Sequence, residues 1–179
     1  MPFSLRSLGN AVRSGLRLLR AYGPASSRNR APSRSHARGP AAPAGTSRYP
    51  GDFRGRSTVS YAPKPDGDPD PGEVVWTWVP YQEDHSRGKD RPVLLVGRSG
   101  QYLLGLMLTS RDRVPAASAS SDYVDLGIGG WDRQGRPSEA RLDRVLQIRP
   151  ADIRREGAVL DRKRFDAVAA GLRARHGWT

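Results

Sequence analysis

Apolar positions start to alternate with polar ones only well into the chain. Gly72–Val79 reads GEVVWTWV, β-branched and aromatic types that favour a strand, and Pro80 ends the run. A charged stretch, Tyr81–Asp90 (YQEDHSRGKD), follows as a loop. Arg91-Pro92 opens a second buried strand, Pro92–Gly97. Ser99-Gly100 then signals a tight turn, and Gln101–Thr109 is a third strand in a hairpin with the second. Partners near the open end of a hairpin face each other. The polar strand ends Arg91 and Thr109 are therefore expected close in space, with the charged loop at the same end.

Beyond Thr109, Ser110–Asp122 is rich in Ser and Ala and reads as a surface loop. Tyr123–Ile128 is a fourth strand, stopped by Gly129-Gly130, and Trp131–Pro137 is a turn. Glu139–Ile148 alternates Ala140 and Leu142, then shifts to Val145, Leu146 and Ile148, which predicts a long strand with a bulge. Arg149-Pro150 stops it, Ala151–Arg154 is a short helical turn and Gly157–Leu160 a last small strand. Asp161 is suited to cap a helix running to about Arg175, with Phe165, Val168, Ala169 and Leu172 on one face and His176-Gly177 closing it. Short strands, tight turns and one terminal helix predict a mainly β fold, a small SH3-like barrel rather than a layered α/β domain.

The first third of the chain has a different pattern. Phe3, Leu5, Leu8, Val12, Leu16 and Leu19 fall at helical spacing, with Arg6, Arg13, Arg17 and Arg20 largely elsewhere on the wheel. This basic amphipathic pattern over 3–22 suits an anionic surface, membrane or RNA. It equally suits a transit peptide or an extension from a misassigned start. Gly9 and Gly15 each weaken such a helix by roughly 1 kcal/mol relative to Ala. From Gly23 to Asp70 large apolar residues are few, so disorder is expected. Tyr49–Tyr61 is the exception, either an arm that docks on the barrel or a linker, and Lys64–Gly72 is a stiff acidic linker. The division expected is therefore a basic, mostly disordered extension over 1–70 and a barrel domain over 71–179.

Charge follows that division. Of the formal net +12, residues 1–57 carry eleven Arg against one acid, Asp52, whereas the remainder carries 19 basic and 17 acidic residues. The polycation is the tail. No cysteine is present, which excludes disulfides and thiolate metal sites, and His36, His85 and His176 are too scattered to suggest zinc. No Gly-rich phosphate loop or nucleophile elbow occurs, and neither metal nor cofactor is expected. No apolar run approaches the roughly 20 residues of a membrane span. The expected location is the cytoplasm.

Three stretches, taken together, resemble the PemK/MazF family of toxin endoribonucleases: Pro71-Gly72-Glu73-Val74-Val75-Trp76, then Gly88-x-x-Arg91-Pro92 leading into Val93-Leu94-Leu95-Val96, then Leu106-Met107-Leu108-Thr109. The C-terminal part, from Leu142 through the helix, is similar too, so the resemblance covers about 71–176. It implies a type II toxin acting as a sequence-selective, metal-independent endoribonuclease on single-stranded RNA, a homodimer with a cognate antitoxin. The same fold class includes CcdB-like gyrase poisons, which the terminal His176-Gly177-Trp178-Thr179 resembles. A barrel that only binds RNA is the third reading.

In metal-independent cleavage the substrate supplies the nucleophile, its own 2′-hydroxyl. The enzyme takes that proton, stabilises negative charge on phosphorus and protonates the leaving 5′-oxygen. By the resemblance Arg91 is the central catalytic residue; its planar fork of donors suits charge stabilisation, and a guanidinium is a poor acid. Thr109 matches the family's phosphate-positioning hydroxyl, with Ser110 as its neighbouring candidate. The family's glutamate five residues before the arginine is Ser86 here. His85 beside it becomes the candidate for proton transfer, with Glu83 and Asp84 as fallbacks. Arg87, Lys89, Ser110 and Arg111 are the candidate RNA-binding residues, and Arg113 adds to the positive charge gathered at that end. Trp76 and Trp78, two apart, share a face as core or dimer contact, and Trp78 or Trp131 is a candidate base-stacking platform.

Overall fold

The computed structural model describes residues 48–64, 66–110 and 122–179. The basic helix pattern of 3–22, the rest of the tail before Arg48, and Arg111 and Arg113 lie outside them. The described residues belong to the unit 37–179. Six antiparallel strands and one helix follow one another: β1 (Glu73–Pro80), β2 (Gly88–Ser99), β3 (Tyr102–Ser110), β4 (Tyr123–Gly127), β5 (Ser138–Ile148), β6 (Ile153–Val159) and α1 (Arg162–His176). Their order in the sheet is β4-β5-β3-β2-β1-β6. The mainly β architecture with a C-terminal helix is as expected, and the bulge in β5 is present, between its pairings Leu106↔Val145 and Leu108↔Ala140.

Two local readings shift. β2 starts at Gly88, inside the expected loop, because Gly88–Arg91 pairs along β1 from Pro80↔Gly88 to Thr77↔Arg91. Likewise β6 begins at Ile153, and the helical turn moves back to Pro150–Asp152. Arg154, Arg155 and Glu156 carry no apolar alternation, yet an edge strand needs only a partner ladder, here Trp76↔Arg155 and Thr77↔Ile153.

β4 and β6 are the two edges and do not pair, so hydrogen bonding does not close the expected barrel. A tryptophan fills the seam. Trp131, 3% exposed, lies in the β4–β5 turn; its indole N–H donates to Ser138 Oγ and its carbonyl accepts from the Trp76 indole, both at 3.1 Å. Gly157 of β6 passes so close that a Cβ there would meet Val74 O at 2.8 Å and Trp131 Cβ at 3.3 Å.

Strand alternation splits the core between the sheet's faces. One face carries Val74, Leu94, Leu104, Leu106 and Leu108 against α1 through Phe165, Val168 and Leu172. Each fully buried side chain of this size contributes roughly 1.5–3 kcal/mol. The helix is capped as predicted: Asp161 accepts from Arg164 N, and Gly177 ends it in the left-handed region at φ 63°. The other face carries Val75, Val93, Leu95, Leu103, Leu146 and Ile148, with Tyr49, Met107 and Ile153 packed against them.

Of the two readings of Tyr49–Tyr61, the structure has the docked one. Phe53 N donates to Val145 O at 2.8 Å, Ser60 N to Val96 O at 3.0 Å and Val59 N to Thr179 O at 2.7 Å. Phe53 meets Trp178 edge-on at 5.8 Å, and the Trp178 indole donates to Gly55 O. The arm ties both faces and the C-terminus to the sheet.

Candidate active site

Arg91 and Thr109 are brought together by the β2–β3 ladder. Its pairs run Leu95↔Gly105, Leu94↔Leu106 and Val93↔Met107, and just beyond that last pair Arg91 and Thr109 border one cleft. Both are half-buried. Alternation puts them on the face of Val93 and Met107, along with Thr77, which pairs with Arg91. Thr77 is 1% exposed and donates its hydroxyl to Asp152 O at 2.9 Å, so Arg91 stands beside a fixed strand.

Two concavities are lined by these strands and the loop before β2. A cleft of about 160 Å³ is bounded by Trp76, Lys89–Pro92, Leu108–Ser110, Ser138 and, from the β4–β5 turn, Asp132 and Arg136. It brings together four of the expected residues, Arg91, Thr109, Lys89 and Ser110. The larger cavity, about 800 Å³, opens among Thr77, Trp78, His85, Ser86, Leu146–Arg149 and the start of the arm. His85 and Ser86 lie there and not in the cleft. The two concavities have no lining residue in common: Arg91 and Thr109 belong to the cleft and His85 to the cavity. Glu83 is exposed, Arg87 half-buried, and neither lines either concavity.

The loop between β1 and β2 is internally bonded. Tyr81 N donates to Arg87 O at 2.7 Å and Arg87 N to Asp84 O at 3.1 Å. Asp84 Oδ1 accepts from both Ser86 N and Ser86 Oγ, and these bonds, the side-chain one foremost, hold its carboxyl below the usual range. Asp84 is thereby a weaker base than an unpaired carboxylate. His85 has its ring edge-on to Tyr49, centroids 5.0 Å apart. Gly88 closes the loop against β1: a Cβ there would meet Val79 O at 2.2 Å, Pro80 Cα at 2.8 Å and Trp78 Cζ2 at 2.8 Å. The glycine of the Gly-x-x-Arg-Pro motif is thus required by backbone contact. Trp78 has a buried indole N–H with no acceptor among the described residues. Trp131 is packed inside the seam, so its ring is not presented to a base.

Among the described residues no group of three or more His, Asp or Glu is placed to hold a metal, and no helix is long and apolar enough to cross a membrane. A family model for the PemK-like, MazF-like toxin of type II toxin–antitoxin systems matches residues 70–175. The chain belongs to that family. Its members act as endoribonucleases. Among solved structures it is similar to the Mycobacterium tuberculosis toxin MazF-mt6, at 17% identity over 60% of this chain and 98% of that one, TM-score 0.45. It is also similar to a chain of the MazE–MazF crystal structure (Form-II) from Deinococcus radiodurans, at 21% identity over 63% and 95%, TM-score 0.42. None of the curated proteins compared with it matches. The family match begins at Asp70, so the docked arm lies outside it.

Sequence reasoning missed the arm's part in this region. Asp52, the sole acid of the first 57 residues, was the available signal, because an isolated carboxylate in an Arg-rich tail calls for a specific cationic partner.

Proposed function

We propose that this toxin-family chain cleaves single-stranded RNA at selected sequences without a metal. The observation that carries the reading is the cleft that gathers Arg91, Thr109, Lys89 and Ser110 at the ends of β2 and β3. The RNA 2′-hydroxyl attacks the adjacent phosphorus, its proton passing to His85, while the P–O bond to the 5′-oxygen breaks and that oxygen takes up a proton. Arg91 donates hydrogen bonds to the extra negative charge on the phosphoryl oxygens, and Thr109 orients the phosphate. Glu83, on the same loop, is the second acid–base group. Lys89 and Ser110 at the cleft, with Arg87 and Arg111, hold the flanking backbone.

In this reading the active unit is a homodimer in the cytoplasm. An acidic, apolar-studded antitoxin segment lies across Arg91, Thr109 and His85 and competes with RNA. The gyrase-poison reading asks for a presented C-terminus, whereas Trp178 is buried beneath Phe53 and Gly55.

The test is incubation of purified protein with single-stranded RNA in EDTA. The reading expects fragments ending in a 2′,3′-cyclic phosphate and a 5′-hydroxyl. Fragments with 5′-phosphates, or activity abolished by the chelator, would overturn it.

A further inference from the structure

The arm precedes the family-matched region, yet its bonds converge on the loop that leads to Arg91. The junction is Arg144 of β5. Its Nε lies 3.0 Å from each carboxylate oxygen of Asp52, and its Nη1 donates to the carbonyl of Pro80, the last residue of β1, at 2.8 Å. Arg144 is only 5% exposed, and a desolvated guanidinium is sustained by the partners around it. Tyr49 donates its hydroxyl to Asp52 Oδ1 at 2.7 Å. Burial first, and the Asp52 carboxylate second, raise the Tyr49 phenol well above its ordinary value, so it remains a donor. Gln147 holds Gly51 O at 3.0 Å, fixing the arm's path between these contacts.

The loop is thereby gripped at two points. Pro80, its entry, is held by Arg144, and His85, at its middle, is packed against the Tyr49 ring. Between them Gln82 Oε1 accepts from Arg141 Nη2 at 3.3 Å, and in the backbone Tyr81 N donates to Arg87 O across the loop. Gly88 follows immediately and starts the strand that carries Lys89 and Arg91.

We propose that Tyr49 and Asp52 are positioning residues of the active site. Acting through Arg144 and His85, they hold the β1–β2 loop in the place that presents His85 and aligns Arg91. The catalytic consequence rests on the ribonuclease reading above; the mechanical coupling of arm to loop does not. A side chain that only orders a loop contributes by preorganisation, so its loss lowers turnover more than substrate binding.

The experiment uses the full chain and compares wild type with Tyr49→Ala and Tyr49→Phe. Hydrogen exchange is read at the Tyr81 and Arg87 amides, and kcat and KM are measured on a short single-stranded RNA. In Tyr49→Ala these two amides should exchange about tenfold faster or more, with the core amides of Leu94 and Leu106 unchanged. Its kcat should fall about tenfold or more while KM stays within about threefold. Tyr49→Phe keeps the ring against His85 and should stay within about threefold of wild type in both readouts.

Unchanged exchange at Tyr81 and Arg87 in a folded Tyr49→Ala protein overturns the proposal, whatever the cleavage data. A loosened loop with full kcat overturns the positioning role. If the loop loosens and wild type itself leaves RNA intact, the coupling stands and the ribonuclease reading falls. Asp52→Asn, which leaves the Arg144 charge without its counter-ion, should loosen the same two amides. Should that variant not fold, Tyr49→Ala decides alone.

Discussion

Replacing Gly88 by alanine tests how tightly the site is coupled to the backbone. The added methyl would sit 2.2 Å from Val79 O, against an ordinary contact of 3.4–4 Å. The strand end must therefore move by on the order of 1 Å, a displacement that can cost about 10²-fold in rate. Rotating a flexible side chain would not relieve the clash, because Val79 O and Pro80 Cα are backbone atoms. The terminal pairs Pro80↔Gly88 and Val79↔Lys89 open instead, and Lys89 to Arg91 shift with them. Overpacking of this kind costs about 1–3 kcal/mol, equivalent to a Tm loss of roughly 3–12 °C for a domain of this size. Thermal unfolding followed by circular dichroism, paired with initial rates on a short RNA, measures both effects. Gly100→Ala is the control: Gly100 has φ 57° with nothing within 4 Å of the added carbon, and it lies in the β2–β3 turn away from the open end. It should lose about 1–2 kcal/mol of stability with cleavage unchanged. A Gly88→Ala protein with wild-type Tm and wild-type rate would refute the reasoning.

Arg91→Ala should slow cleavage by about 10²- to 10³-fold with the far-ultraviolet spectrum unchanged, since one preorganised donor to the phosphoryl charge is removed from a half-buried strand end. Trp178→Ala removes a buried ring from Phe53 and an indole donor from Gly55 O; it should cost about 3–5 kcal/mol, a Tm fall of roughly 10–20 °C. Asp143 is one carboxylate through which acid lowers stability. Burial alone would raise its carboxyl, but the Arg141 hydrogen bond, 2.6 Å from Nη2 to Oδ2, and the Arg141 charge hold it below the usual range. With the unfolded value near 3.9, the stability it contributes is present above about pH 4 and lost as pH falls through the lower folded value. Asp143→Asn should therefore flatten the acid limb of a stability–pH curve below about pH 4, measured by urea unfolding.

What the sequence determined by itself was whatever rests on local chemistry. Alternation, turn residues and an N-cap were enough for the β2–β3 hairpin, the bulged β5 and the helix begun by Asp161, because each is specified within a few neighbouring residues. The hairpin that carries Arg91 and Thr109 was legible for the same reason, but its ladder shifts by one residue between Leu95 and Gly97, a bulge that the turn residues do not announce. Tertiary structure decided the rest. The charged start of β2 and the polar β6 are strands only because β1 offers a ladder on each side. No local pattern carries that information. Nor could spacing along the chain separate His85 from the cleft or put Trp131 in the seam between unpaired edges, since both depend on how the sheet curves. The arm is the clearest case. Asp52 and Arg144 are 92 residues apart, and their ion pair forms only once the fold has buried the guanidinium and left Asp52 as its counter-charge.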